Sequence, residues 1–162
     1  MISDTHGNQG LLRQILQREN NSQYIFHLGD YYGDMDNNAD LTEGKKLIRV
    51  PGTFNSGYFS GRLPVTQEIV ILGWKIGCLH DIQDLSKLSL DIDILLFGHT
   101  HSPVIRKIFD RIEINPGHLK NIEDRGNVAS YALLQISRKE IFIEIREFNC
   151  NLREVYTLNR IK

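Results

Sequence analysis

Three short apolar runs in this chain each stop at a residue of metal-ligand type, and that coincidence limits the folds open to it. Tyr24-Ile25-Phe26-His27-Leu28 ends in Gly29-Asp30, Lys75-Ile76-Gly77-Cys78-Leu79 ends in His80, and Ile92-Asp93-Ile94-Leu95-Leu96-Phe97 ends in Gly98-His99-Thr100-His101. Short apolar runs closed by Gly, Asp or Asn read as buried strands. In open α/β sheets binding groups collect beyond the C-terminal ends of the strands. A further cluster, Asp4-Thr5-His6, opens the chain.

A His-x-His pair cannot place both rings on one face of a straight helix, but a backbone turning just past a strand end can aim both at neighbouring ions. Asp4-x-His6 offers a similar pair of carboxylate and imidazole. Oxygen and imidazole donors without thiolate suit Mn, Fe, Co, Zn or Mg better than a structural zinc site. Any one of these histidines alone also reads as an ordinary polar loop residue; three clusters and a Gly-Asp, all following strands, do not.

A chain of 162 residues with 41% hydrophobic content suffices for one domain with a real core and leaves little room for a second. Its 19 Lys and Arg against 20 Asp and Glu give no basic surplus, so long nucleic acid is a poor default substrate. Cys78 and Cys150 provide neither a disulfide framework nor a zinc-finger spacing. No run approaches the roughly 20 apolar residues of a membrane span, and no charged start precedes an apolar core. The expectation is a cytoplasmic protein with reduced thiols and no membrane partner.

Asn8 is placed to cap a helix over about residues 9–19, whose Leu11, Leu12, Ile15 and Leu16 form one apolar stripe. Residues 34–44 are acidic and polar and read as a solvated connection, rather than a substrate-side loop, before a strand over 46–50. Beyond Gln67 strands dominate: 68–72 with 74–79, 104–109 with 111–114, and a last hairpin of 131–136 with 140–146. An α/β first half and a β-rich second half suggest two sheets packed face to face with helices outside.

Taken in order, Ser3-Asp4-Thr5-His6-Gly7-Asn8, His27-Leu28-Gly29-Asp30-Tyr31, Gly98-His99-Thr100-His101-Ser102-Pro103 and Ile114-Asn115-Pro116-Gly117 resemble the signature of the calcineurin-like metallophosphoesterases. Ser130-Tyr131-Ala132-Leu133-Leu134 resembles the closing strand of the small prokaryotic phosphodiesterases within that family. The resemblance implies an α/β fold, a four-layer αββα sandwich of two mixed β-sheets flanked by helices, as one domain over 1–162. Carried over position by position, it implies Asp4, His6, Asp30 and His101 on a first divalent ion. Asp30 would bridge to a second ion shared with His80, His99 and Thr53, and Asp30, His80 and His99 would be the catalytic positions. Up to two ions per chain are implied, Mn first, with Fe, Zn, Co, Ni or Mg compatible. The substrate implied is a small phosphate ester, attacked by hydroxide generated at the paired ions.

The departures from the pattern carry information of their own. Where the family's third motif has Gly-Asn, this chain has Gly52-Thr53, and a Thr hydroxyl is a poorer ligand than an amide oxygen. The second ion is therefore expected to bind more weakly, unless a two-residue loop shift brings in Asn55. Phe54 stands where many relatives place a His that protonates the leaving group, a role typically contributing about 10²–10⁴-fold. Asp81 reads as a turn residue, His118 as an exposed loop residue, His27 as a packed strand residue, and Asn115 and Gly117 as turn formers. The resemblance also implies about five apolar residues ahead of Ser3-Asp4, where only Met1 and Ile2 stand.

A retromer subunit of the same fold is similar in its closing motifs and in departing from Gly-Asn. It supplies the alternative: a catalytically weak or inactive metallophosphoesterase-fold scaffold for protein interaction. Six of the seven implied ligand positions survive here, which favours the hydrolase. A nuclease fits the neutral charge least well, and a homo-oligomer is compatible with the sequence.

Overall fold

Two β-sheets face each other in the computed structural model, which describes residues 1–160. In chain order the elements are α1 (Gln9–Arg18), β1 (Tyr24–His27), α2 (Ala39–Thr42), β2 (Lys46–Arg49), α3 (Ser56–Ser60), β3 (Thr66–Ile71), β4 (Trp74–Leu79) and β5 (Ile94–Leu96). They continue as β6 (Val104–Ile108), β7 (Arg111–Asn115), β8 (Glu123–Asp124), β9 (Asn127–Val128), β10 (Ser130–Ile136), β11 (Glu140–Glu147) and β12 (Leu152–Asn159). Short 3-10 helices cover Tyr32–Asn38 and Ile82–Lys87.

The first sheet is joined through Met1 and Ile2. β1 pairs in parallel with β2, and on its other side Ile2 lies parallel to His27, donating to Phe26 O at 2.9 Å and accepting from Leu28 N at 3.0 Å. Met1 in turn exchanges backbone bonds of 2.8 and 3.0 Å with Ala132 of β10. β10, β11 and β12 then follow as an antiparallel meander. The second sheet has the order β3-β4-β5-β7-β6, with β4, β5 and β7 parallel neighbours and antiparallel strands at both edges.

The core lies between the sheets, where Phe26 and Ile48 meet Ile76, Ile94 and Ile112, and Ile141, Ile143 and Ile145 of β11 close one side. These last three are buried on alternate positions, as their period of two requires. On the outer face of the first sheet α1 lays Leu12, Ile15 and Leu16 against Ile25 and Tyr131, and Asn8 caps it by accepting from Leu11 N at 3.1 Å. The outer face of the second sheet is covered by Leu88, Ile92 and Phe97 together with Ile82 and Leu85 of a 3-10 helix. The layers are those of an αββα sandwich, with a thin fourth layer. Among the described residues no helix is long and apolar enough to cross a membrane.

Two expectations need correction. Residues 34–44 are a solvated connection only in part: Asp36, Asn37, Asp40 and Glu43 are exposed, but Asp34, Met35 and Asn38 are buried. Asp34 accepts from Thr5 Oγ1 at 2.5 Å and from Gln9 Nε2 at 2.7 Å, so polar residues there satisfy one another inside the protein. The hairpin of β10 and β11 is not the last element, because β12 pairs along β11 and its alternation is between half-buried and exposed residues, a weak signal in sequence. The last two positions of the domain expected over 1–162 lie outside the described residues. His27 is packed as expected, and burial pushes its pKa down to about 4, leaving the ring neutral at physiological pH.

Candidate metal centre

The ends of Met1–Ile2, β1, β4 and β5 meet at one edge of the sandwich, and the acidic and imidazole residues that follow them converge there. One donor atom from each of Asp4, His6, Asp30 and His101 lies within 4.8 Å of the other three. His6 Nε2 is 3.0 Å from Asp30 Oδ2 and 3.3 Å from His101 Nε2, which is itself 3.2 Å from Asp4 Oδ1. Asp4, Asp30 and His101 are buried and His6 is half-buried.

The backbone is bent hard to achieve this. Asp4, His6, His99 and His101 all have positive φ, at 51°, 47°, 69° and 61°, a conformation that costs a non-glycine residue about 1–3 kcal/mol. Local hydrogen bonds hold it in place. Asp4 donates its N–H to Gly29 O at 2.9 Å, its Oδ2 accepts from Ser3 Oγ at 2.6 Å and His99 N at 2.9 Å, and Asn115 Nδ2 donates to Gly98 O at 2.8 Å. Two glycines make room: a Cβ on Gly52 would stand 2.1 Å from Asp30 Oδ1, and one on Gly98 would stand 2.0 Å from Ser3 Oγ.

A second group forms around the other oxygen of Asp30. His80 is fully buried, with Nδ1 2.6 Å from Leu28 O, so the carbonyl holds that nitrogen protonated and frees Nε2. Nε2 lies 3.1 Å from Asp30 Oδ1 and 3.2 Å from His99 Nδ1. His99 is partly exposed at the mouth, with Nε2 3.7 Å from Asp81 Oδ2. Thr53 follows Gly52 in the turn after β2 and is half-buried. Asn55 does not stand in for it, because its side-chain oxygen accepts from Gly57 N at 2.8 Å and caps α3. Among the described residues no other set of three acidic, His or Cys donors converges as the first four do.

Electrostatically the centre sets buried carboxylates against imidazoles. Burial works against charge at His101, but Asp4 beside its Nε2 and Asp124 at its Nδ1 outweigh that and raise its pKa; at His80 burial is likewise outweighed, by Asp30 and then Asp4. Asp4 is held below the usual carboxylate range despite its burial, through His101, His80 and Ser3. Burial lowers the pKa of His6. Asp4 Oδ1 and Asp30 Oδ1 are nonetheless buried without a hydrogen-bond partner. Unpartnered carboxylate oxygens facing imidazole nitrogens are the donor set of a divalent ion with oxygen and nitrogen ligands, and the residues present fit one.

The sequence gives no warning of Asp124. It sits on β8, with Oδ2 2.5 Å from His101 Nδ1 and Oδ1 accepting from Lys120 Nζ at 2.9 Å, and the bonds from Lys120 and His101 hold its carboxyl at about 2. An outer carboxylate of this kind fixes the tautomer and ring orientation of a ligand imidazole. His118 corrects another expectation, since it is buried rather than exposed. Its Nε2 lies 3.0 Å from Asn127 O and its ring centroid 5.4 Å from that of His101. Asp81 takes the turn role expected of it, accepting from Gln83 N at 3.0 Å. Asn115 also serves a turn, accepting from Gly117 N at 2.9 Å.

Asp124→Asn is expected to weaken Mn²⁺ binding by about 10–100-fold while the fold stays intact. Isothermal titration of both proteins checks this; equal affinities would mean that His101 is oriented without help from the carboxylate.

Residues 1–139 match the model of the calcineurin-like phosphoesterase superfamily domain. The phosphodiesterase YfcE of Escherichia coli K12 is 29% identical over 157 residues, covering 82% of this chain and 84% of its own. A probable metallophosphoesterase of Methanothermobacter thermautotrophicus is 29% identical over 132 residues, covering 72% and 74%. Among solved structures, wild-type Vps29 of Entamoeba histolytica complexed with Zn²⁺ superposes with a TM-score of 0.65 at 25% identity, over 90% of this chain and 87% of its own.

Proposed function

The chain belongs to the calcineurin-like phosphoesterase superfamily, and from that premise we propose that it is a single-domain, metal-dependent hydrolase of small phosphate esters, phosphodiesters first. The observation that carries this is the convergence of Asp4, His6, Asp30 and His101 with two buried carboxylate oxygens left unpartnered. The phosphodiesterase name of the YfcE relative supports the same reaction.

In this reading Asp4, His6, Asp30 and His101 hold one divalent ion, with Mn our first assignment. Asp30, His80 and His99, with Thr53, hold a second more weakly. Ions at these positions would bring the pKa of water down toward neutrality and offset the charge building on the phosphoryl oxygens. The rest of the work falls to the protein. Leu28 O and Asp124 keep the Nδ1 protons of His80 and His101 outward, so both Nε2 atoms face the centre. His99, at the mouth, is placed to meet an arriving phosphoryl group. Asp30 lies between the two groups, with Oδ2 beside His6 and Oδ1 beside His80.

No proton donor stands at position 54. The Phe54 ring centroid is 5.0 Å from that of His6, and His118 is committed to Asn127 O. The leaving oxygen therefore departs without a proton from either residue. Near-neutral charge supports small substrates over long nucleic acid, and we place the protein in the cytoplasm. The second reading, a weakly active or inactive scaffold, draws support from the Vps29 likeness. Because that Vps29 structure also carries zinc, metal binding does not separate the two readings, whereas turnover does.

With Mn²⁺ and a series of substituted phenyl phosphodiesters at fixed pH, the rate is expected to fall steeply as leaving-group pKa rises. A flat dependence with rate-limiting chemistry would reveal another acid, with Asp81 the first candidate, and no turnover of any member would favour the scaffold. Thr53→Asn is expected to raise both metal content per chain and turnover. Full two-ion content in the wild type, unchanged in the variant, would show that the hydroxyl or a water already completes the second group.

A further inference from the structure

Two aromatic rings stand in solvent beside the donor cluster, and we propose that Phe54 and Tyr31 form a subsite for a flat aromatic group carried by the phosphate ester. The inference rests on the hydrolase reading and names its substrate class. Phe54 is 70% exposed and Tyr31 47% exposed. Both rings flank His6, with centroids 5.0 and 6.2 Å from its own.

Neither ring contributes to the core, yet both ride on backbone that the site itself anchors. Phe54 follows Gly52, which packs against Asp30, and its turn is closed by a 2.9 Å bond from Asn55 N to Gly52 O and by the Asn55 cap on α3. Tyr31 follows Asp30 directly, and its ring lies over Gly7, where an added Cβ would stand 3.5 Å from the ring edge. Its carbonyl accepts from Asp34 N at 2.9 Å. Aromatic side chains on held backbone offer contact area at low entropic cost. The Phe54 and His6 rings stand at 74° to one another, and most of the Phe54 surface remains in solvent.

An aliphatic alcohol on the phosphate would gain little from such a rim. A flat ring can stack there, an interaction that amounts to about tenfold in affinity. For a ring borne directly on the phosphate the missing proton donor points the same way, since a phenolic oxygen leaves without one while an alkoxide does not. The ring could be an aryl group on the phosphate itself or a nucleobase one sugar away, and the shared chemistry is a planar π face within reach of the centre.

The test is equilibrium binding to the Mn²⁺-loaded protein by isothermal titration, which does not depend on turnover. Phenylphosphonate is compared with methylphosphonate, and adenosine 5′-monophosphate with ribose 5-phosphate. Wild type is expected to favour the aromatic member of at least one pair by about tenfold. Preference in the first pair assigns an aryl group and in the second a nucleobase. Phe54→Ala should erase the preference, Phe54→Trp should keep it, and Tyr31→Ala should reduce it. Phe109→Ala, at the far turn of β6 and β7 and 92% exposed, should leave it unchanged. Equal affinities within both pairs, or a preference that survives Phe54→Ala, would overturn the subsite while leaving the hydrolase reading in place. Failure of wild type to bind any of the four ligands, together with no turnover of any phosphodiester, would remove both.

Discussion

Two carboxylates buried side by side, Asp4 and Asp30, are the constraint around which the rest of this structure is arranged. Each is almost wholly removed from water, and an ionised carboxylate in that position costs several kcal/mol unless other charges and donors answer it. The answer comes from both sheets. Asp4 and Asp30 follow the adjacent parallel strands Met1–Ile2 and β1, whereas His80, His99 and His101 follow the adjacent parallel strands β4 and β5. The centre therefore straddles the seam of the sandwich. Bonds across that seam, His80 Nδ1 with Leu28 O and His99 N with Asp4 Oδ2, make packing of the sheets and geometry of the site one problem.

That arrangement also explains where the backbone is strained. The left-handed residues Asp4, His6, His99 and His101 sit where a strand must turn at once to bring a side chain back over its own end. Gly52 and Gly98 occupy the positions where a neighbouring carboxylate or hydroxyl comes too close for any side chain. Strain of this kind persists only where surrounding bonds over-determine it, which Asn115, Ser3 and the hairpin of β8 and β9 supply here. Around this rigid floor the mouth is lined differently, with a partly exposed imidazole at His99 and exposed rings at Phe54 and Tyr31. The buried donors are held by several bonds each, and the rim groups are left open to solvent.

The residues differ in how far their sequence neighbourhood reveals them. Asp30, His80 and His99 stand out because each lies at the end of an apolar run, directly or after one glycine, and Leu11, Leu12, Ile15 and Leu16 stand out because a 3.6-residue period marks one helix face. Asp34 looked like solvated loop because its partners, Thr5 and Gln9, lie far away in sequence. His118 looked exposed for the same reason, and β12 lacks a clean alternation because neither of its faces is fully buried.

Local pattern by itself determined most of the strands, though not β8, β9 or β12, together with the first helix and the order of the His and Asp clusters, and so suggested two packed sheets with helices outside, since periodicity and strand-end punctuation act over a few residues. Folding in three dimensions decided which donors share one centre, that Asn55 caps a helix instead of joining it, that Asp124 orients His101, and that Phe54 and Tyr31 meet at His6. These are pairings between residues tens of positions apart or choices between competing partners for one oxygen. Their outcome depends on distances and burial that exist only once the two sheets have packed.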